Sequence, residues 1–598
     1  MSDNHFHSGR ETTHRIFLYS SIAPEITTSN NGFARSLREQ IMKDTSFYCV
    51  RTFLRSQRSF VSAAIVLACV VARADVRLPA IFGDHMVLQR NFSVPVWGWA
   101  DPGETVTVIA GAAQGKAIAG ADGKWMIKLN PLTGTGQPIE LTVSGKNTVH
   151  FTDVLVGDVW ICAGQSNMGF PLAGEQHMVT EIPKANHPGI RLFMVEAKMA
   201  FEPQADCKGH WMVCTPVSAS NFSAVGYFFG RDLHQQLGVA VGLVETALGG
   251  TSAEAWTSLS GLRNEPATRP IVDEFEKSKT SLADRLVKYE QEVLPRWQQE
   301  DELWRKEVNP TYQEALRRWN EAVRLAKAKG QPEPARPQPS RPHPAMPPLP
   351  NRHAPTLLSN GMLSPLVPFG IKGVIWYQGE ANADNPLAYR KIFPALICDW
   401  RTRWNQGNFP FLFVQLPNVN ARVAQPGESL WAGLREAQSM ALALPATGQA
   451  VAIDVGEVDI HPHNKLDVGQ RLALVARQAV YGEKLVCSGP TFKRMQVEGD
   501  KVRLTFTNCG GGLISRLAHE SVAPIGFAVA GTDRKFVWAQ ARIDGESVIV
   551  WNEHVTQPVA VRYGWADNPE VNLFNREGLP AAPFRTDDWQ FNQKSGAR

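Results

Sequence analysis

Leu155-Val156-Gly157-Asp158-Val159-Trp160-Ile161-Cys162-Ala163, followed at once by Gly164-Gln165-Ser166-Asn167-Met168, is the stretch on which the reading of the fold turns. A largely apolar run of strand length that ends in a glycine-led turn reads as a buried strand delivering a serine to the edge of a sheet. Four similar runs follow: Val239 to Val244, Lys372 to Tyr377, Phe411 to Leu416 and Gln449 to Asp454. Segments of helical spacing lie between them, such as Phe222 to Gln236 and Leu430 to Leu444. Strands alternating with helices predict a parallel sheet covered on both faces, with ligands at the carboxyl ends of the strands.

On the amino-terminal side, Asp75 to about Phe151 alternates with period two around turns such as Asp101-Pro102-Gly103, which predicts a small β-sandwich over 75–151. The α/β region is then expected over 152–488 and a second β-rich domain over 489–598, where alternation returns at Val502, Leu504 and Phe506. An insert at 270–355 interrupts the α/β pattern. Its first part repeats apolar residues at helical spacing (Leu282, Leu286, Tyr289, Val293), and we expect a helical hairpin there. It ends in nine prolines between Gln331 and Pro350, which must be extended or mobile. The insert either shapes a substrate rim or is a solvated decoration.

Residues 1–74 read as a leader. Arg51, Arg55 and Arg58 precede the apolar segment Phe60 to Val71 and then Ala72-Arg73-Ala74, the order of a secretory signal, so a periplasmic or secreted protein with no membrane span in its mature form is expected. Either translation starts at Met42, the reading we favour, or the leader is extended; Val66-Leu67-Ala68-Cys69 is a weak lipoprotein alternative. The leader carries nine of the 61 Lys and Arg and five of the 57 Asp and Glu, which leaves 52 of each sign in the remainder. That balance gives no basic face for nucleic acid or anionic lipid. Six cysteines follow the leader, and Cys207 and Cys214 are close enough in sequence for a short bridge. The oligomeric state is not legible.

The chemistry rests on four ordered blocks. Ser166 follows the first strand. Leu248-Gly249-Gly250-Thr251-Ser252 follows another, where glycines let a backbone N–H approach a developing oxyanion. Trp376-Tyr377-Gln378-Gly379-Glu380-Ala381-Asn382 ends a third, and its amides Gln378 and Asn382 are further candidate donors. Asp459-Ile460-His461-Pro462 follows a fourth and sets a carboxylate near an imidazole, the base that a serine hydroxyl needs to become a nucleophile. Trp256 and Trp376 beside the motifs either stack on a sugar or wall the site. Glu380 either contacts substrate or holds its loop. Arg435 and Glu436 read as an internal pair or an exposed face, and Arg562, Tyr563 and Trp565 as parts of the terminal β-domain. His461 and His463 have no nearby third ligand, so neither a metal nor another cofactor is expected.

GQSNM, GGTSAEAW, WYQGEAN and DIHPHNKLDVGQRLAL resemble the characteristic blocks of sialate O-acetylesterase-like proteins among the SGNH hydrolases. LPAIFGDHMVLQR (78–90) and PVAVRYGWADNPEVNLFNREGLPAAPFRTD (558–587) extend the resemblance over nearly the whole chain after the leader. The resemblance implies a three-layer α/β/α domain with accessory β-rich domains, and a serine esterase acting on O-acetylated carbohydrate. The sugar is either sialic acid or a plant polysaccharide such as xylan or xyloglucan. It implies Ser166 as nucleophile, His461 as base, and oxyanion donors from Ser166, Gly250 and an amide of the third block. The wider superfamily often has Asp three positions before the histidine; here that position is Val458, so Asp459 is the expected acid, with Glu457 and Asp454 as alternatives. A non-catalytic carbohydrate-binding protein would not need Ser166 and His461 together, and a lipase or thioesterase would favour an apolar lid that the charged insert does not supply.

Overall fold

The computed structural model describes residues 75–338, 351–517 and 520–590. The expected leader, with Met42, Cys49 and Cys69, lies outside the described residues, as do residues 339–350 of the proline-rich stretch.

A sheet of parallel strands forms the centre, in the spatial order Thr447–Val451, Phe411–Gln415, Gly373–Tyr377, Thr148–Gly164, Val241–Ala247, His187–Met194, with Trp211–Cys214 added antiparallel at the edge. The chain lays strands to one side of Thr148–Gly164 first and to its other side afterwards. The sheet therefore reverses direction at the strand that carries Ser166, the place where open α/β sheets leave a crevice at their carboxyl ends.

Thr148–Gly164 is seventeen residues long and serves two neighbourhoods. Its first part pairs antiparallel with Ile139–Ser144 of the amino-terminal β-region, and its second part lies between two parallel partners of the central sheet. Strand residues thus run uninterrupted through the expected boundary at 151/152. Burial changes along it as those neighbourhoods demand: alternating up to Asp153, then continuous from Val154 to Gly164.

Helices Ala224–Leu237 and Leu466–Ala479 pack on each other and on this sheet, as do Pro386–Trp404 and Leu430–Met440. Phe411 meets Phe393 and Trp400 of helix Pro386–Trp404. Its neighbour Leu412 pairs with Gly448, whose open face is filled by Val475 of helix Leu466–Ala479. Adjacent strand residues point to opposite faces, so these two helices cover opposite sides. Beyond residue 490 the chain is β-rich, with antiparallel strands such as Thr491–Glu498, Lys501–Thr507, Ser547–Trp551 and Gln540–Asp544 in that order. The fold is mixed α/β with accessory β-rich regions.

Two expectations are corrected. The insert is not a helical hairpin: Arg269–Lys288, Tyr289–Val293, Leu294–Leu303, Trp304–Val308 and Asn309–Ala328 follow one another with no reversing loop. The second and fourth segments are π-turns, each immediately before a helix whose second residue is proline (Pro295, Pro310). Proline removes an amide donor from the ladder, and the wider turn absorbs the defect without ending the helix. Nor do Cys207 and Cys214 pair: all six cysteines from Cys162 onward are free thiols. Among the described residues no helix is long and apolar enough to cross a membrane.

Candidate active site

Ser166 sits on the turn that leaves the central strand, and Gly164 makes that turn possible. Gly164 adopts φ +143°, and a Cβ there would lie 2.1 Å from the carbonyl oxygen of Tyr377. Only glycine lets the two strand ends approach so closely. The register sets Gly164 beside both Ala247 and Tyr377, so the second and third sequence blocks emerge on either side of Ser166. Gly249 closes one flank, where an added Cβ would be 3.3 Å from Ser166 Cβ.

His461 comes to the same place from the loop after Thr447–Val451. Its Nε2 is 2.8 Å from Ser166 Oγ, a hydrogen-bond distance, across 295 residues of chain. Asp459 Oδ1 accepts the backbone N–H of His461 at 2.8 Å and lies 3.3 Å from its Nδ1. The alternative acids are engaged elsewhere: Glu457 with His463, and Asp454 with the guanidinium of Arg471. Among the described residues, the backbone N–H groups of Ser166 and Gly250 have no acceptor, and no group of three or more His, Cys, Asp or Glu is placed to hold a metal.

Several expected site residues face away from this centre. Gln378 is fully buried and donates both amide hydrogens, to Thr251 O at 3.1 Å and Asn382 Oδ1 at 2.7 Å, so it has none left for an oxyanion. Asn382 accepts from Ala253 N and Gln378, and donates to Glu254 Oε2 at 2.8 Å. These two amides are a wall that ties the second block to the third. Trp256 and Trp376 are not stacking platforms either. Both are 0% exposed and meet edge to face at 6.2 Å, with Trp400 packed on Trp376. Large aromatic rings beside the motifs go into the core because their burial stabilises the sheet that carries the site.

Glu380 is likewise not a substrate contact. Buried, it accepts from Asn167 Nδ2 at 2.6 Å, and that nitrogen also donates to the carbonyl of Ile460 at 2.9 Å. The other end of the Asn167 amide accepts from Lys465 Nζ at 2.5 Å. Lys465 is fully buried over the rings of Phe170 and Tyr377. Burial pushes its ammonium down to about 7 and pushes the Glu380 carboxyl up. Both shifts move the pair toward neutrality. Asn167 and Lys465 stand inside the quoted motifs, yet nothing in their spacing tells that they meet.

Two arginines complete the surroundings. Arg435 is 0% exposed and donates to the carbonyls of Leu416, Pro417, Ala566 and Asp567, bolting the loop after Phe411–Gln415 to the terminal β-region. It has no role as a substrate contact. Arg352, at the end of the insert, donates to Gly249 O at 3.3 Å and lies beside Gly250, a cation at the rim of the glycine loop that the sequence reading did not anticipate.

A family profile described as "carbohydrate esterase, sialic acid-specific acetylesterase" matches residues 156–330 and 361–478. Sialate O-acetylesterase from Mus musculus is 28% identical over 87% of this chain and 96% of its own length. The Homo sapiens protein of the same name is 27% identical over 85% and 92%. The crystal structure of a carbohydrate acetylesterase from Xanthomonas citri aligns with TM-score 0.69 and 38% identity, covering 86% of this chain and all of that one. With such coverage on both sides, the chain belongs to the sialate O-acetylesterase family of carbohydrate esterases and is an O-acetyl ester hydrolase.

Proposed function

We propose that this chain is an exported serine esterase that removes O-acetyl groups from carbohydrate by acyl transfer through Ser166. The observation that carries the reading is the 2.8 Å contact between His461 Nε2 and Ser166 Oγ. A serine hydroxyl attacks an ester only when a base takes its proton in the same step. His461 accepts that proton as Oγ bonds to the acetyl carbon, then returns it to the sugar oxygen as the ester C–O bond breaks. Water next attacks the acetyl-serine, gives its proton to His461, and acetate leaves as Oγ is reprotonated. Asp459 orients the imidazole. The unengaged N–H groups of Ser166 and Gly250 stabilise the oxyanion, each worth roughly 10²- to 10³-fold in rate.

The arrangement that this chemistry fits is the three-layer SGNH core at 152–488, with β-rich domains at 75–151 and 489–598, supported by helices on opposite sheet faces. Export rests on the signal-like order of residues 51–74. Ser166→Ala in a folded protein is expected to end acetate release from 4-nitrophenyl acetate and from acetylated sugars. A folded, active variant would remove Ser166 from its role. Acetylated sialic acids, xylan and xyloglucan oligosaccharides, offered as a panel to the unaltered enzyme, identify the sugar.

A further inference from the structure

Val458 to Ile460, the approach to His461, are exposed, and Asp459 stands 3.3 Å from the imidazole with its side chain 66% in solvent. An exposed carboxylate at that distance holds a ring weakly. Two further clamps flank the histidine, and both come from the chain that follows Ser166. Asn167 Nδ2 donates to the carbonyl of Ile460 at 2.9 Å, and the backbone N–H of Gln176 donates to the carbonyl of His463 at 3.2 Å. The first clamp is a side-chain amide, and it grips only while its nitrogen end faces Ile460.

Lys465 decides which end does. The oxygen and nitrogen ends of an asparagine amide are close in shape, and an ammonium tells them apart because it has three donors and no acceptor. Lys465 Nζ donates to Asn167 Oδ1 at 2.5 Å, its one hydrogen-bond partner among the described residues. With the oxygen engaged, the amide hydrogens go to Glu380 Oε1 at 2.6 Å and to Ile460 O. Lys465 is itself anchored. It directly precedes helix Leu466–Ala479, its backbone N–H donates to His463 O at 3.0 Å, and its carbonyl accepts from Gly469 N at 3.0 Å. Gly469 packs that helix on Ala224–Leu237 so closely that an added Cβ would lie 2.6 Å from Phe228 Cβ. A cation taken out of water ordinarily pairs with a carboxylate. This one is aimed at a neutral amide next to the nucleophile, and at 0% exposure it touches no substrate.

We propose that Lys465 is a positioning residue of the esterase reaction: by orienting the Asn167 amide it holds the His461 loop against Ser166, a task it shares with the exposed Asp459. This deepens the esterase reading and rests on it.

The test measures steady-state hydrolysis of 4-nitrophenyl acetate by the full chain carrying Lys465→Met, Lys465→Gln, Asn167→Ala, or Lys465→Met and Asn167→Ala together, with thermal unfolding to establish that each is folded. Methionine keeps an unbranched apolar stem without a donor, and glutamine returns one at shorter reach. Lys465→Met is expected to lower kcat about 10- to 100-fold with KM little changed, and Lys465→Gln to recover part of that loss. The double variant is expected to be no slower than Asn167→Ala alone, because both changes break one chain of contacts. A purely structural lysine would lower the unfolding temperature and leave the kcat of the folded variant intact. The proposal is overturned if folded Lys465→Met keeps its kcat, if KM rises while kcat holds, or if the losses of the single variants multiply in the double. Should Lys465→Met not fold, Lys465→Gln decides: a kcat about 3- to 10-fold lower supports the proposal, and an unchanged kcat overturns it. If neither folds, Lys465 is structural alone and the proposal fails. The esterase reading is judged apart, by Ser166→Ala: activity in that folded variant ends it whatever the Lys465 variants do.

Discussion

Asn167, next to Ser166, meets Glu380 at 2.6 Å, and the same Asn167 nitrogen reaches the carbonyl of Ile460, next to His461, at 2.9 Å. One side chain thus joins the loop of Ser166, the loop of the third block and the loop that carries His461. Since a misplacement of about 1 Å can cost roughly 10²-fold in rate, Asn167→Ala is expected to lower kcat by about that factor with little change in KM. It also leaves Lys465 and Glu380 without their bridge, at a cost of about 1–3 kcal/mol in stability. Steady-state kinetics and thermal unfolding measure both. A rise in KM with kcat intact would show that Asn167 serves substrate binding.

The Asp459 side chain is 66% exposed and stands 3.3 Å from His461 Nδ1. Exposed pairs of this kind are worth about 0.2–1 kcal/mol. Asp459→Asn is therefore expected to reduce kcat by no more than about 5-fold, whereas His461→Ala loses about 10⁴-fold or more. Equal losses in the two variants would mean that the carboxylate closes on the imidazole far more tightly during turnover.

Glu245 lies buried in the strand beside Ser166's own, accepting from Ser223 N at 2.9 Å, and burial raises its carboxyl to about 7. A carboxyl whose folded-state value is raised contributes stability that is present below its unfolded value, near 4.5, and is lost as pH rises through about 7. Unfolding followed from pH 4.5 to 8 should show this loss, and Glu245→Gln, which keeps the acceptor without the ionisation, should flatten it. An unchanged slope in the variant would assign the dependence to other groups.

Trp376 packs between Trp256, Phe393 and Trp400. Trp376→Ala is expected to cost about 3–5 kcal/mol of stability, and Trp376→Phe less, with KM for acetylated sugars unchanged in the folded phenylalanine variant. Calorimetry and kinetics separate this from a sugar-stacking role, in which KM would rise while stability held.

The sequence by itself determined the strand-and-helix alternation, the β-rich flanks, and the pair Ser166 and His461, because periodicity and residue chemistry are local properties that survive in a linear string. Gly164 and Gly250 were legible for the same reason: a turn after an apolar run leaves its mark in the residue type. Helical spacing in the insert does not tell one long helical run from a hairpin, and only the backbone reveals that the run continues through π-turns at 289–293 and 304–308, each just before a proline. Tertiary structure alone decided where the polar side chains of the blocks point. Gln378, Asn382 and Glu380 carry the right groups for an active site, but Gln378 bonds to Thr251, Asn382 to Glu254 and Glu380 to Asn167, partners on other loops more than a hundred residues away that only the folded sheet brings near.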